Sequence, residues 1–409
     1  MVKDLTVGKP EEVLWKFSIP MFVSVIFQQM YNIADSVIAG KFAGEDALAA
    51  VGASYPITMI FMAIAVGSNI GCSVVISQLF GAKEYEKMKT AVYTTLTSSA
   101  VLSILLTVLG LIGTKGLMHM IQTPDNIFNL GDLYLRIYIG GFAFLFLYNV
   151  ATGIFTSLGD SKTPLYFLVA SAILNVLGDL LFVAVFGWGV AGSAISTVLS
   201  EASSCLFCAL YIRKRVPLLC LGKRWFVFDK SLMKKTISYG STSAMQQVCL
   251  QIGKTIIQAV VNTQGVSVMA AFTAVNRVDD FAYIPQQNIG HAMTTFIAQN
   301  KGAGKKERIR RGFQSGIGIE LVYGLILLVL MYFGAEKIMG LFTSQEDAQV
   351  VTLGKSYLHL VSWMYILPAI TNGIQGFFRG MGDLKVTLYS TFMNMLGRVV
   401  AVFVMIRLL

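Results

Sequence analysis

Charge is what this sequence has least of. Only 13% of its 409 residues are Asp, Glu, Lys or Arg, where soluble domains carry roughly 25%. A soluble protein of this length has too little interior to hide 55% hydrophobic residues at a mean hydropathy of +0.67. Proline is scarce too, at 8 residues, and apolar segments of about 20–30 residues recur, which excludes a fibre or a disordered chain. The cysteines are few and lie mostly in apolar segments: Cys72, Cys205, Cys208, Cys220 and Cys249. Cys205 and Cys208 sit one helical turn apart without a second ligand pair, so they are read as small core residues rather than zinc ligands. His119, His291 and His359 are scattered and form no metal pattern. No phosphate-binding loop of the G-x-x-x-x-G-K-[ST] type occurs, so no ATPase module is expected. Residues 1–10 are polar and lack the apolar stretch and cleavage site of a removable signal peptide.

What is present reads as an all-α polytopic membrane protein. Apolar runs between polar or glycine-rich breaks give about eleven spans. They cover 14–39, 47–79, 90–113, 131–155, 165–186, 190–212, 236–262, 267–299, 312–334, 355–378 and 386–407. Several exceed the roughly 20 residues needed to cross, which implies tilt or helix beyond the bilayer. Pro20, Pro56, Pro285 and Pro368 inside spans predict bends rather than breaks.

Basic residues outnumber acids 32 to 22. In a soluble protein that excess would suggest a polyanion. Here, with the N-terminus placed inside, Lys and Arg collect at the start of the chain, near 83–89, over 213–235 and over 301–311, with Lys162, Arg379 and Lys385. The outside loops hold only Lys41, Lys115, Lys337 and Lys355. The bias predicts a cytoplasmic N-terminus and no nucleic-acid partner.

A weak internal repeat runs through the chain at offsets of roughly 218 to 223 residues. Gln28-Gln29 recurs as Gln246-Gln247, Ala49-Ala50 as Ala270-Ala271, and Gln78 with Gly81-Ala82 as Gln299 with Gly302-Ala303. Gly159-Asp160 with Lys162 matches Gly382-Asp383 with Lys385. Ser171, Asn175 and Leu177-Gly178 match Ser390, Asn394 and Leu396-Gly397. An even number of spans separates the copies, so both cross in the same sense: a parallel repeat of two six-helix-type lobes. The lobes are drawn as 1–212 (spans 1–6) and 236–409 (spans 7–11), with 213–235 as a cytoplasmic linker. The partner of span 190–212 is expected to be missing, since the sequence stops at Leu409. Two-lobed membrane proteins built on such repeats are commonly transporters, though a scaffold without transport is the alternative.

Ionisable groups inside spans are costly and mark candidate sites. The first lobe embeds Asp35, Asp179 and Glu201. Helix rise puts Asp35 roughly 6 Å, and Asp179 and Thr197 about 10 Å, below the outer boundary. Asn175 and Asp179 are four residues apart and share a helix face. Two acids, an amide and a hydroxyl could hold Na⁺ through hard oxygen ligands, or exchange protons. Alternatively, each acid is satisfied locally by Tyr or Asn and only braces the helices. The repeat does not duplicate the acids, because Asp35 aligns with Gly253 and Asp179 with Arg398. The second lobe instead embeds Lys254, Arg277, Asp279, Asp280 and Arg398, read either as a self-neutralising ion-pair network or as placing Asp279 or Asp280 where a cationic substrate passes. Gln28, Gln246 and Gln247 could line a path or tie helices together. The 19 Met, 27 Phe and 16 Tyr could line a pocket for aromatic cations, or simply pack.

Several motifs together resemble the multidrug and toxic compound extrusion (MATE) transporters over essentially the whole chain. They are Tyr31-Asn32-Ile33-Ala34-Asp35 with Gly40, Gly159-Asp160-Ser161-Lys162-Thr163-Pro164, Asn175 with Asp179, Gly189-Val190-Ala191-Gly192-Ser193-Ala194 leading to Thr197, and Arg379-Gly380 before Gly382-Asp383. The resemblance implies a secondary antiporter that exports organic cations or amphipathic drugs in exchange for H⁺ or Na⁺ by alternating access. It implies a coupling-cation site at Asp35, Asn175, Asp179 and Thr197, with Tyr31 beside it, and no cofactor or metal beyond Na⁺ at Asp35, Asn175 and Asp179. Family members with acids in the second lobe carry them where this chain has Gln246 or Gln247 and Pro368, so the pattern is closer to branches that couple through the first lobe. The expected setting is a monomer in the plasma membrane of a bacterium. Two rivals are a flippase for a lipid-linked anionic substrate, with Lys254, Arg277 and Arg398 facing the headgroup, and a membrane enzyme, for which no nucleophile–base or metal cluster is evident.

Overall fold

The computed structural model describes residues 2–121, 123–219, 228–340 and 348–408. Part of the expected linker, including Cys220, therefore lies outside the described residues. Helix is the only extended secondary structure among the described residues, as the long apolar runs demand where no water can satisfy a free backbone. Among the described residues seven helices are long and apolar enough to cross a bilayer, and α4 (Asp125–Gly140) with α5 (Phe142–Ser157) make an eighth if the pair, bent by 47°, counts as one span. The remaining expected spans are also helical, but charges and amides such as Arg277, Asp279 and Asp280 lower their apolar content.

The repeat appears as matching punctuation. Helix α1 (Pro10–Ile38) ends in a π turn at Ala39–Ala43, and Gly44, with φ +90°, starts α2 (Glu45–Gly81). Helix α8 (Lys230–Val261) ends in a 3₁₀ turn at Asn262–Gln264, and Gly265, with φ +100°, starts α9 (Val266–Gly302). Both α2 and α9 run 37 residues. The positive φ at these corners suits glycine, which has no Cβ to clash. Helices α3 (Tyr85–Met120) and α10 (Lys306–Met339) follow. The bent pair α4/α5 then answers to α11 (Ala348–Ser362) and α12 (Ile366–Gly380). Gly159 and Gly382, at φ +75° and +78°, precede α6 (Lys162–Asp179) and α13 (Leu384–Leu408). Helix α7 (Gly189–Arg215) completes the first copy.

Proline behaves in two ways. Pro20, Pro56 and Pro285 lie within helices that continue past them. Pro368 instead sits in the first turn of α12, just after a 3₁₀ turn at Trp363–Tyr365, so the expected span 355–378 is two helices. A first-turn proline costs nothing there, because that N–H has no intrahelical partner anyway.

Contacts divide the chain into two units. The first contains 2–4 and 26–245, the second 5–25 and 246–408. Thus the first half of α1 packs with the second unit, where Leu14 and Phe17 meet Ala292, Met293 and Phe296. The first half of α8 packs with the first unit: a Cβ on Gly67 or Gly71 would come within 2.4 Å of the backbone nitrogen of Ala244 or Gly240. Two small-xxx-small stripes let these backbones touch. A mixed aliphatic and aromatic core, with Phe61 edge-on to Phe142 at 5.0 Å, lies within the first unit.

Candidate functional site

Helix α6 is fixed at its start. Asp160 Oδ1 accepts from the backbone N–H of Lys162 (3.2 Å) and Thr163 (3.1 Å), and Thr163 Oγ1 donates to Asp160 Oδ2 at 2.7 Å. These bonds satisfy donors that a helix start leaves free. From that anchor α6 runs to Asp179, where it passes into a π-helical stretch, Leu180–Val185. Helix α7 returns beside it, and the two approach at small residues. A Cβ on Gly178 would lie 2.8 Å from Ser196 Cβ, and one on Gly192 would lie 3.0 Å from the Phe182 carbonyl. Stacking of Phe182 on Trp188 at 5.2 Å closes the turn between them.

This close seam lets α7 hydroxyls reach the acids. Ser196 Oγ donates to Asp179 Oδ1, and Ser193 Oγ donates to Asp35 Oδ1 at 3.4 Å. Asp35, from α1, and Asp179, from α6, lie within hydrogen-bonding reach of each other. Asn175, one turn before Asp179, fits its surroundings best with Nδ2 donating to Asp179 Oδ2 at 3.1 Å and its oxygen accepting from Thr197 N at 3.2 Å. Thr197 Oγ1 donates to the Ser193 carbonyl at 3.1 Å, which leaves its lone pairs to the site. Asn175 and Asp179 are each 1% exposed. Tyr31 lies beside Asp35 and Glu201, and Tyr134 faces both aspartates. Asp35, Asn175, Asp179, Thr197 and Tyr31 are therefore neighbours within one unit.

Chemically, the cluster offers four carboxylate oxygens, hydroxyls and an amide, with no basic side chain among these contacts. Two carboxyls can lie in hydrogen-bonding contact only when a proton or a cation is shared between them, since two bare anions repel. Such a donor set suits H⁺ or a hard monovalent cation.

Sequence reading overlooked Ser193 and Ser196 as site residues, along with Tyr134. The available signal was a serine stripe: Ser193, Ser196, Ser200 and Ser204 recur at helical spacing, all buried along one face of α7. Glu201 continues that face, and its Oε2 is buried without a hydrogen-bond partner among the described residues.

The path candidates divide between the units. Gln28 is exposed in the first. In the second, Gln246 is buried and tied down: Nε2 donates to Gln375 Oε1 and Thr391 Oγ1, each at 3.0 Å, while Oε1 accepts from Thr387 Oγ1 at 3.3 Å. It joins α8 to α12 and α13. Gln247 is half-buried beside it. Asp279 accepts from Tyr365 Oη, and Asp280 pairs with Lys254 at 3.2 Å, so both acids have partners within their own unit. Glu320, at 0% exposure in the middle of the apolar span 312–334, escaped the sequence reading altogether.

A family model, MatE, matches this chain twice, over 20–181 and over 243–404, segments of equal length that correspond to the two copies of the repeat. The probable multidrug resistance protein YoeA of Bacillus subtilis is 29% identical over 391 residues, covering 93% of this chain and 84% of that protein. An FAD transporter of Shewanella oneidensis is 25% identical over 398 residues, covering 94% of this chain and 86% of its own. Among solved structures, a MOP superfamily transporter from Pyrococcus furiosus with a binding pocket of reversed polarity superposes with a TM-score of 0.93 at 25% identity, covering 99% of this chain and 90% of that one.

Proposed function

The chain belongs to the MATE family of membrane transporters and is not an enzyme, and from that premise we propose that it exports organic cations or amphipathic drugs in exchange for H⁺ or Na⁺. The observation that carries this reading is the convergence of Asp35 and Asp179 on Ser193 and Ser196, one turn apart on α7. The two acids, on separate helices, share one small cation, and its arrival or departure changes how α1 meets the α6–α7 seam. Ser193 and Ser196 orient the oxygens, Asn175 bridges Asp179 to the Thr197 backbone, and Tyr31 with Tyr134 walls the site. A drug bound elsewhere in the protein then competes with the cation through the conformation each favours, which is the thermodynamic requirement for exchange.

In this proposal the protein is a monomer in a bacterial plasma membrane, with its N-terminus on the cytoplasmic side. The likeness to YoeA, a probable multidrug resistance protein, supports the substrate class. An anionic substrate is a weaker match, since Lys254, one of the cations it would need, is paired with Asp280. The test is ethidium efflux from proteoliposomes with a pH gradient and a Na⁺ gradient imposed separately. Efflux driven by one of the two supports the exchange and names the ion. No response to either, with the protein reconstituted and folded, overturns it.

A further inference from the structure

Glu320 is fully buried, and among the described residues neither of its carboxylate oxygens has a hydrogen-bond partner. A buried acid left so is costly, and its neighbourhood shows what would complete it. Three other side chains of the same unit carry an unmatched atom: Gln286 Oε1, an acceptor, and Asn372 Nδ2 and Arg379 Nε, both donors. Gln286 is 0% and Asn372 2% exposed.

Close backbone contacts place Glu320, Gln286 and Asn372 at one seam of α9, α10 and α12. Gln286 Nε2 donates to the Tyr365 carbonyl at 3.1 Å, and a Cβ on Gly324, one turn past Glu320, would lie 3.3 Å from that same oxygen. A Cβ on Gly290, one turn past Gln286, would lie 2.9 Å from the Asn372 carbonyl. Gly316, one turn before Glu320, abuts Met293 of α9, and Gly373 abuts Ile317 of α10. The glycines leave the seam too tight for bulky packing, and the polar groups occupy it.

For these three residues the donor and acceptor count closes with a single proton. We propose that Glu320 is a proton-binding site: its carboxylic O–H donates to Gln286 Oε1, and its other oxygen accepts from Asn372 Nδ2. Their four unmatched atoms are then satisfied. Among the described residues no hydrogen bond reaches either carboxylate oxygen of Glu320, so no basic side chain neutralises it by direct contact. Facing Glu320 are Tyr283 on α9 and Tyr323 on α10. Of the remaining titratable groups, Tyr365 donates to Asp279, and Arg379 is engaged with Gln375 Oε1 (3.1 Å) and His291 Nδ1 (3.2 Å). Helix α11 brings Lys355, held by Glu336 at 2.7 Å, and His359, stacked on Tyr332. The first half of α1 contributes Phe22, edge-on to Tyr323 at 5.5 Å. This proton is additional to any held by Asp35 and Asp179, and the site does not depend on the transport reading.

The test is infrared spectroscopy of the purified protein in lipid nanodiscs at neutral pH, in H₂O and D₂O. Glu320→Gln reproduces the donor and acceptor of the protonated acid and should fold as wild type does. It should remove the absorbance of one protonated carboxyl per protein, a band that moves on deuteration and persists in Asp179→Asn. Gln286→Leu should shift that band to higher frequency, because its hydrogen bond is lost. An unchanged band in Glu320→Gln would show an ionised Glu320 and overturn the proposal. So would failure of Glu320→Gln to fold, since the amide supplies the same pattern.

Discussion

Gly178 of α6 and Ser196 of α7 touch so closely that a Cβ on the glycine would sit 2.8 Å from the serine Cβ. That contact brings Ser196 Oγ onto Asp179. Lengthening the side chain at 178 must push the helices apart, because the facing atom is a Cβ with no freedom to swing away. Gly178→Val is therefore expected to reduce ion-coupled ethidium efflux to the level of Asp179→Asn, with Gly178→Ala intermediate. Efflux at equal membrane expression checks this, and unimpaired transport by Gly178→Val would separate the seam from the site.

Asp35→Asn and Asp179→Asn each keep a side chain of the same size but remove the carboxylate. Each should lower gradient-driven efflux more than tenfold while the protein still inserts and purifies. Normal drug resistance from either variant at wild-type expression would remove that residue from the coupling role.

Ser196→Ala takes away one donor from Asp179 and should lower efflux several-fold, less than either aspartate change. Ser203→Ala is the control, since Ser203 is half-buried and its hydroxyl donates to the Leu199 carbonyl of its own helix at 2.8 Å. Equal effects from the two would mean that Ser196 merely packs.

Asp160 caps α6 through three hydrogen bonds. Asp160→Ala should destabilise the protein by about 1–2 kcal/mol, the usual cost of losing a helix cap. The readout is thermal unfolding in detergent, where the transition should fall, while Thr163→Val, which loses the hydroxyl contacts to Asp160 and Tyr211 but keeps both backbone caps, falls less.

The Lys254–Asp280 pair is 3.2 Å apart with side chains 54% and 40% exposed. Its coupling in a double-mutant cycle should be below about 1 kcal/mol, as for other accessible pairs. If Asp280 also meets a cationic substrate, Asp280→Asn should weaken efflux of cationic dyes and leave neutral ones unchanged; parallel losses for both would exclude that contact.

Several features were legible before folding because they are local. The i,i+4 spacing sets Asn175 and Asp179 on one face, and helix rise sets their depth. The recurrent Gly-Asp-x-Lys pattern marks the corners at Gly159 and Gly382, whose positive φ the structure shows. Pro368 misled, because a proline inside an apolar run looks the same whether it bends a helix or starts one. Glu320 was hidden by its surroundings: one acid in an apolar span gives no sign of which helices enclose it.

Scarce charge and long apolar runs were enough to specify a helical membrane protein, since hydrocarbon leaves the backbone no other partner than itself. Sequence spacing also limited which residues could share a depth. It could not say that Ser193 and Ser196 would hold Asp35 and Asp179, that α1 and α8 would each divide between two units, or that Gln286, Glu320 and Asn372 would meet at one seam. Those outcomes belong to packing. They depend on how closely helices distant in the chain approach, and at glycines facing across a seam that distance is set by both partners at once.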